Sequence, residues 1–291
     1  GLACAHRLAM LGHDVTVFEA RAKGGGLNEY GIAAYKLAHG FAQREVAFIL
    51  SLGGIDLKTG MALGRDVTLA QLRRDFDAVF LATGLAGVNA LQLEGETLKG
   101  VVDAVAYIET LRQAADKSKL AVGRRVVVIG GGNTAIDIAV QTKRLGAEDV
   151  TLVYRRGPAN MGATQHEQDF AQTNGVRIKH WARPARLIGE SGALKAVEFE
   201  RTGAESGRFT LEADMMFKAI GQVFMPAPFR DGTNELLQLK NGRIAVNEER
   251  RTSLANVWAG GDCIEGPDLT VAAVEDGKRA AHAIDRHLKQ A

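Results

Sequence analysis

With 291 residues and 46% hydrophobic content, the chain can bury a core in each of two ordinary domains. Its 36 basic and 34 acidic residues are mixed along the sequence and give a net charge of +2, which leaves no single-sign field for nucleic acid or a membrane surface. Cys4 and Cys263 are too few and too far apart for a CxxC pair, a structural zinc site or an iron–sulfur cluster.

No apolar run approaches the roughly 20 residues of a membrane helix. The N-terminus lacks a basic segment followed by an apolar stretch and a cleavage site, so the reducing cytoplasm is the simplest address.

The first element, in GLACAHRLAMLGHDVTVFEA (1–20), reads as a helix over Leu2–Leu11, closed by Gly12 and followed by a strand ending at Glu19. A glycine-rich stretch, GGGLNEYGIAAYKL, covers 24–37, and GRDVTLAQLRRDFD (64–77) reads as a solvated helix face. FDAVFLATG (76–84) is a strand ending in a small-residue turn. RRVVVIGGGNTAIDIAVQTKRLGAEDVTLVYRR (124–156) has a β-branched run, a glycine cluster, an amphipathic helix, Gly146 as its C-terminal cap and a second strand, which is a βαβ unit. Aligning Gly146 with Gly12 sets Ala135 on Gly1, and DVTLVYRR falls on DVTVFEAR after one inserted residue. The opening is therefore read as a second copy whose Gly1 is the third glycine of a GxGxxG turn. On that reading about ten residues of strand and turn are missing ahead of it, and the chain is a fragment cut within its own cofactor site.

In GGGNTA (130–135) the pattern GxGxxA follows a strand and opens a helix, the context that dinucleotide binding requires. Gly130 permits the tight turn, Gly132 lets the backbone approach a pyrophosphate, and Ala135 keeps helix and strand close. The strand ends separate the two sites. Glu19 stands where a carboxylate accepts from a ribose diol, whereas the second copy has Tyr154, Arg155 and Arg156, a guanidinium pair suited to a 2′-phosphate. That difference favours NADP(H) over NAD(H) in the second site, against a solvated basic pair as the plain alternative. His166 and Glu167 are adjacent on a helix and point apart, so they read as surface residues.

ADMMFKAIG (213–221) matches FDAVFLATG, and LANVWAGGDCIEGPDLTVAAVEDGKRAAHAI (254–284) supplies a strand, a glycine turn, a loop and a helix that nothing after the first copy provides. An Asp after two glycines can accept from a polyol, and the helix beginning near Leu269 can aim its N-terminus at a group that gains negative charge. The expected fold is α/β, with two nested Rossmann-like dinucleotide-binding domains. Residues 1–86 and 243–291 form the first, and 87–242 are inserted as the second.

These motifs resemble the two-dinucleotide-binding flavoproteins. More narrowly, GGGLNEYGIAAYKL, VVVIGGGNTAID, VYRRGPANM and AGGDCIEGPDLTVAAVEDGK are similar to the glutamate synthase small subunit and the NAD(P)H-accepting part of dihydropyrimidine dehydrogenase, over essentially the whole chain. The resemblance implies FAD in the first domain and NADP, with NAD as the alternative, in the second. It implies that Glu19 holds the FAD adenosine ribose, that Gly26, Leu27 and Lys36 lie along FAD, and that Gly261, Asp262 and Thr270 hold the ribityl chain and flavin. It further implies that Gly131, Gly132, Asn133 and Thr134 receive the second cofactor's phosphates, that Arg155 and Arg156 take its 2′-phosphate, and that Ala219, Ile220 and Gly221 line its path to the flavin.

Two departures stand out. Ala33 replaces a proline of the family pattern, and an arginine that assists the 2′-phosphate is replaced near Gly162, which leaves NADPH or NADH open. The chemistry implied is hydride transfer from nicotinamide to FAD, then one-electron release to iron–sulfur clusters of a partner or further module in a pyrimidine-reducing or glutamate-forming system. No side chain acts as acid, base or nucleophile, and no metal is held. A stand-alone NAD(P)H:ferredoxin-type reductase and a non-catalytic scaffold that keeps the fold are the competing readings.

Overall fold

A computed structural model describes residues 1–229 and 237–290. The chain begins with α1 (Leu2–Met10), β1 (Val15–Glu19), the one-turn α2 (Leu27–Tyr30), α3 (Phe41–Leu50), β2 (Ile55–Thr59), α4 (Leu69–Asp75) and β3 (Val79–Leu81). Helix α1 stops at Gly12, whose φ of 90° suits a residue without Cβ. The Gly12 N–H donates to Ala9 O at 3.0 Å and the His13 N–H to Leu8 O at 3.1 Å, the crossed pair of a Schellman closure. That turn sends β1 back beside α1, parallel to β2 with Val15 opposite Ile55. Helix α4 is opened by a reciprocal capping box between Thr68 and Gln71.

The middle of the chain forms β4 (Gly87–Val88), β5 (Val101–Asp103), α5 (Ala104–Gln113), β6 (Arg125–Ile129), α6 (Asn133–Arg144), β7 (Asp149–Val153), α7 (Gln165–Thr173) and β8 (Arg177–Lys179). It continues through β9 (Ala182–Glu190), β10 (Ala193–Arg201), β11 (Arg208–Glu212) and β12 (Met215–Lys218). A parallel sheet runs in the order β5-β12-β6-β7-β8, and β9, β10 and β11 form a separate antiparallel meander. Val126, Val127 and Val128 of β6 are all buried, as expected of a strand covered on both faces. Helix α6 repeats the closure of α1 at Gly146, with Gly146 N–H on Lys143 O and Ala147 N–H on Thr142 O, both at 3.1 Å. The two copies seen in the sequence therefore end their helices with the same pair of hydrogen bonds.

The last segment adds β13 (Gln222–Val223), β14 (Leu239–Lys240), β15 (Arg243–Ile244), β16 (Val257–Ala259) and α8 (Thr270–Gln290). Strand β16 pairs parallel to β3, with Val257 opposite Val79, and α8 packs on α1. Gly277 sits inside α8, where glycine costs about 1 kcal/mol relative to alanine. A Cβ there would stand 2.9 Å from the Cys4 backbone nitrogen, so the glycine is what lets the two helices approach. No helix among the described residues is long and apolar enough to cross a membrane.

Two compact units result, one from Gly1–Glu29, His39–Gly87 and Gln222–Ala291, the other from Tyr30–Ala38 and Val88–Gly221. The C-terminal segment belongs to the first unit. Two features of this division have a physical reason in the packing. Phe224 and Phe229 pack with Leu69, Val79, Leu81, Ile244 and Val257, which draws the chain after Gly221 into the first unit. Tyr30–Ala38 leaves the first unit because its polar groups are bound by the second: Arg112 donates to Ile32 O at 2.9 Å, Asp137 accepts from Tyr35 Oη at 3.0 Å, and Gln141 accepts from Ala34 N–H at 3.3 Å.

Candidate functional site

In the second unit the GGGNTA turn joins β6 to α6. Gly130 has φ 148° and a Cβ there would collide with the Ala219 carbonyl, so the end of β12 passes directly over the turn. Ala219 is fixed by its N–H on Ile129 O at 2.8 Å, and Asn89 holds the next two carbonyls, with Nδ2 on Ile220 O at 3.1 Å and N–H on Gly221 O at 3.2 Å. Gly131 is packed by the Tyr154 ring, whose Cδ2 would lie 2.5 Å from a Cβ; the Tyr154 hydroxyl donates to Asn160 O at 2.7 Å. Gly132 is different. Its φ of −97° is open to any residue, and a Cβ would meet no protein atom within 4 Å. The protein itself does not need a glycine there, whereas a phosphate drawn close to the backbone does.

Gly132 caps α6 without a side-chain acceptor, so the first-turn N–H groups of Asn133 and Thr134 are left to an external anion. Ala135 is fully buried where helix and strand touch. Gly162 lies beside this loop, its nearest neighbours being Gly132 Cα and Gly131 O, and Ala163 N–H donates to Gly131 O at 3.0 Å.

Arg155 and Arg156 follow β7 and are exposed. Among the described residues neither guanidinium has an acidic partner. Every arginine of the neighbouring strand ends Arg124, Arg125 and Arg177 does, with Glu148, Glu212 and Asp149 respectively. The basic pair is therefore left available for an anion.

In the first unit, Gly1 caps α1 without a side-chain acceptor and stands against Ala82. Glu19 ends β1, and one of its carboxylate oxygens accepts from the Arg21 N–H at 2.9 Å. The glycine stretch before α2 is held by Gln43, which donates to Gly24 O at 2.8 Å and to the buried Glu29 at 3.0 Å. Gly26 has φ 54° with open space where a Cβ would be, and Leu27 is 41% exposed. The Thr270 hydroxyl, at the start of α8, donates to Asn28 Oδ1 at 3.2 Å, which joins this stretch to the C-terminal segment.

Gly261 has φ 76° and its N–H is taken by Asp276 at 2.9 Å; Asp276 is in turn held by Arg250 at 2.7 Å. Asp262 is half-buried and makes no hydrogen bond among the described residues. Burial, and next the nearby Asp268, hold its carboxyl above the ordinary range. A carboxylate short of donors at this turn suits a ligand that brings hydroxyl donors, so the residues present fit a flavin nucleotide's polyol chain.

Lys36 belongs to the second unit, and Gly26 and Leu27 to the first. Its ammonium lies 2.7 Å from Asp137 and 3.0 Å from Glu167. Glu167 is thus engaged by Lys36, and its neighbour His166 is exposed on α7. Ala33 N–H donates to Asp137 at 3.4 Å, using a donor that the proline of the family pattern would lack. Both cysteines are unpaired and buried. Burial pushes the Cys4 thiol up to about 12 and raises that of Cys263, so neither is a reactive thiolate.

Gln43, Glu29, Asp276 and Asn89 escape the sequence reading. Gln43, Asp276 and Asn89 bind backbone far away in sequence and Glu29 receives the Gln43 amide; only Glu29, in GGGLNEYGIAAYKL, and Asp276, in VAAVEDGK, belonged to stretches already marked.

A family model described as pyridine nucleotide-disulphide oxidoreductase matches residues 1–277. The chain is 36% identical over 307 residues to the NADP(+)-dependent formate dehydrogenase subunit beta of Moorella thermoacetica, covering 100% of this chain and 43% of that protein. It is 32% identical over 312 residues to the glutamate synthase [NADPH] small chain of Azospirillum brasilense, covering 99% and 64%. It is 31% identical over 291 residues to the NAD-dependent dihydropyrimidine dehydrogenase subunit PreT of Salmonella typhimurium, covering 100% and 67%. The chain spans about half the length of curated relatives such as the first of these.

Among solved structures, thioredoxin reductase of T. acidophilum matches with a TM-score of 0.77 at 19% identity, covering 99% of this chain and 95% of that one. FprA from Mycobacterium tuberculosis in complex with NADPH also gives 0.77, at 17% identity, covering 99% and 82%. These two are likenesses of fold. With a dinucleotide-type turn between β6 and α6 and a match over nearly its whole length, the chain belongs to the pyridine nucleotide-disulphide oxidoreductase family, as an FAD-dependent NAD(P)H oxidoreductase of the glutamate synthase small-subunit and dihydropyrimidine dehydrogenase type.

Proposed function

We propose that this protein takes hydride from NADPH, in preference to NADH, onto FAD held by the first unit, and passes the electrons to iron–sulfur clusters of a partner subunit or a further module. The observation that carries the cofactor preference is the exposed pair Arg155–Arg156 at the end of β7, free of any acidic partner among the described residues. A carboxylate in that place would repel a 2′-phosphate, whereas two guanidiniums attract it and can bind it bidentately.

When bound, FAD supplies the conversion from two-electron to one-electron chemistry that no side chain here offers. The chain's own residues orient and balance charge. Gly130 makes the tight turn, Gly131 to Thr134 offer backbone N–H groups to phosphates, Glu19 accepts from the adenosine ribose, and Gly26 and Leu27 line the flavin nucleotide. Gly261, Asp262 and Thr270 hold its polyol and ring, and Ala219, Ile220 and Gly221 line the nicotinamide's approach. Lys36, held by Asp137 and Glu167, anchors the segment that follows Leu27. The buried, high-pKa cysteines leave the disulphide chemistry of the family's name without a redox pair. Relatives named as a "subunit beta", a "small chain" and a "subunit PreT" support work within an assembly, and their names span NADP and NAD and more than one final substrate.

Anaerobic mixing of the flavin-loaded protein with NADPH or NADH tests the reading. NADPH is expected to bleach the oxidised flavin's visible absorbance faster at limiting concentration. Equal rates with both overturn the preference, and no bleaching with either favours a scaffold. Capture of a cluster-bearing partner with a pyrimidine-reducing or glutamate-forming site distinguishes the assembly from a stand-alone ferredoxin-type reductase.

A further inference from the structure

The main chain that carries Arg155 and Arg156 is tied down by residues that no motif marks. Tyr154 N–H donates to Lys179 O at 2.8 Å and Ala182 N–H donates to Tyr154 O at 3.2 Å. The Thr202 hydroxyl donates to Arg155 O at 2.6 Å, and Trp181 N–H donates to Arg156 O at 3.3 Å. Thr202 N–H closes the ring on Trp181 O at 2.9 Å. Three successive carbonyls, 154 to 156, are thus occupied by the turn into β9 and the end of β10, while the two guanidiniums have no partner among the described residues.

Trp181 adopts φ 59°, a left-handed conformation rare for a bulky side chain and kept only where its surroundings dictate it. The surroundings do so here. A Cβ on Gly157 would lie 2.5 Å from the indole Cζ2, and one on Gly203 would lie 3.1 Å from the Trp181 Cβ. Gly157 itself has φ −78°, which any residue adopts, so its missing side chain serves the indole and not the backbone. Trp181 stays 46% exposed and belongs to no buried cluster among the described residues.

We propose that Trp181 and Thr202 are positioning residues for the 2′-phosphate of NADPH: they lock the backbone of Arg155 and Arg156 so that only the two side chains are left to be ordered on the phosphate. The inference rests on the reading that this basic pair takes the 2′-phosphate. A binding loop ordered in advance saves the entropy that a loose one loses on association.

The test titrates the full chain calorimetrically with 2′,5′-ADP and with 5′-AMP. Thr202→Val removes the hydroxyl at nearly constant shape, and it is expected to weaken 2′,5′-ADP about fivefold, the factor set by one ordinary hydrogen bond, while leaving 5′-AMP unchanged. Thr202→Ser is expected to restore the parent affinity. Trp181→Gly, which removes the indole and relieves the left-handed side chain together, is a second variant expected to show the same selective loss. A merely structural role would weaken both ligands alike, and that result overturns the proposal. Parent-like 2′,5′-ADP binding in both variants, alongside a selective loss in Arg155→Ala/Arg156→Ala, also overturns it while leaving the basic-pair reading intact. No selective loss in the double arginine variant overturns both.

Discussion

The ammonium of Lys36 lies 2.7 Å from the carboxylate of Asp137, a residue five positions after Gly132 and only 5% exposed. Asp137 also accepts from Ala33 N–H and from the Tyr35 hydroxyl, so one side chain holds the segment Tyr30–Ala38 on α6. Burial outweighs Lys36 and keeps the Asp137 carboxyl above the ordinary carboxylate range. Burial also acts to lower Lys36, but its bonds to Asp137 and then Glu167 win and hold the ammonium up.

Removing that acceptor leaves a half-buried lysine, a hydroxyl and a backbone N–H without it. Asp137→Ala is expected to cost about 3 kcal/mol of stability, read by urea unfolding. Asp137→Asn, which keeps an acceptor and loses the charge, is expected to cost less. An alanine variant as stable as the parent would mean that the segment is held by its apolar contacts alone.

The neighbouring glycines Gly130 and Gly132 are expected to respond in opposite ways. Gly132→Ala meets no protein atom and no forbidden backbone angle, so stability should stay within about 1 kcal/mol, a less flexible unfolded chain opposing a poorer helix cap. Nucleotide affinity, measured by titration, should fall nonetheless. Gly130→Ala, at φ 148° and against the Ala219 carbonyl, should lower the thermal midpoint itself.

Gly162 stands beside the same turn, where a Cβ would be in ordinary contact with Gly132 Cα at 3.8 Å. Gly162→Arg restores the cation that the family pattern sets against the 2′-phosphate and is expected to tighten NADPH relative to NADH by roughly tenfold, as a charge-assisted bond gives. Comparison of the two KM values checks it.

Asp262 carries a pH signature. Its folded carboxyl titrates above the ordinary value, so the unfolded chain releases its proton first as pH rises, and stability present at low pH is lost through that window. Asp262→Asn is therefore expected to raise the thermal midpoint of the flavin-free protein at neutral pH, with the gain vanishing below pH about 4, where the unfolded carboxyl is also protonated. Flavin retention should fall in the same variant.

Much of this was legible in the sequence because it is local. The closures at Gly12 and Gly146 follow from a glycine after an amphipathic run, and the βαβ repeat aligns the two copies from residue types alone. The return of β16 to β3 was legible as a strand and turn missing from the first copy. What could not be seen depends on contacts between segments far apart in sequence. Asp137 sits in NTAIDIAV, a run that otherwise reads as core, and nothing in the spacing says that its carboxylate receives Tyr35. Phe224 and Phe229 carry no periodicity that would assign them to the first unit. Trp181 occupies a turn whose left-handed conformation is dictated by Gly157 and Gly203, each more than twenty residues away in sequence.

The pairing of Val79 with Val257 sets an order of events during synthesis. Strand β3 leaves the ribosome long before β16 exists, so its edge stays unpaired while the whole inserted unit is made. The insert contains all of its own parallel sheet and can fold meanwhile, shortening the loose span that must later close. The first unit is then completed by β16 and α8, and a nascent chain stalled before Trp258 would hold a finished nucleotide-binding insert on a half-built frame.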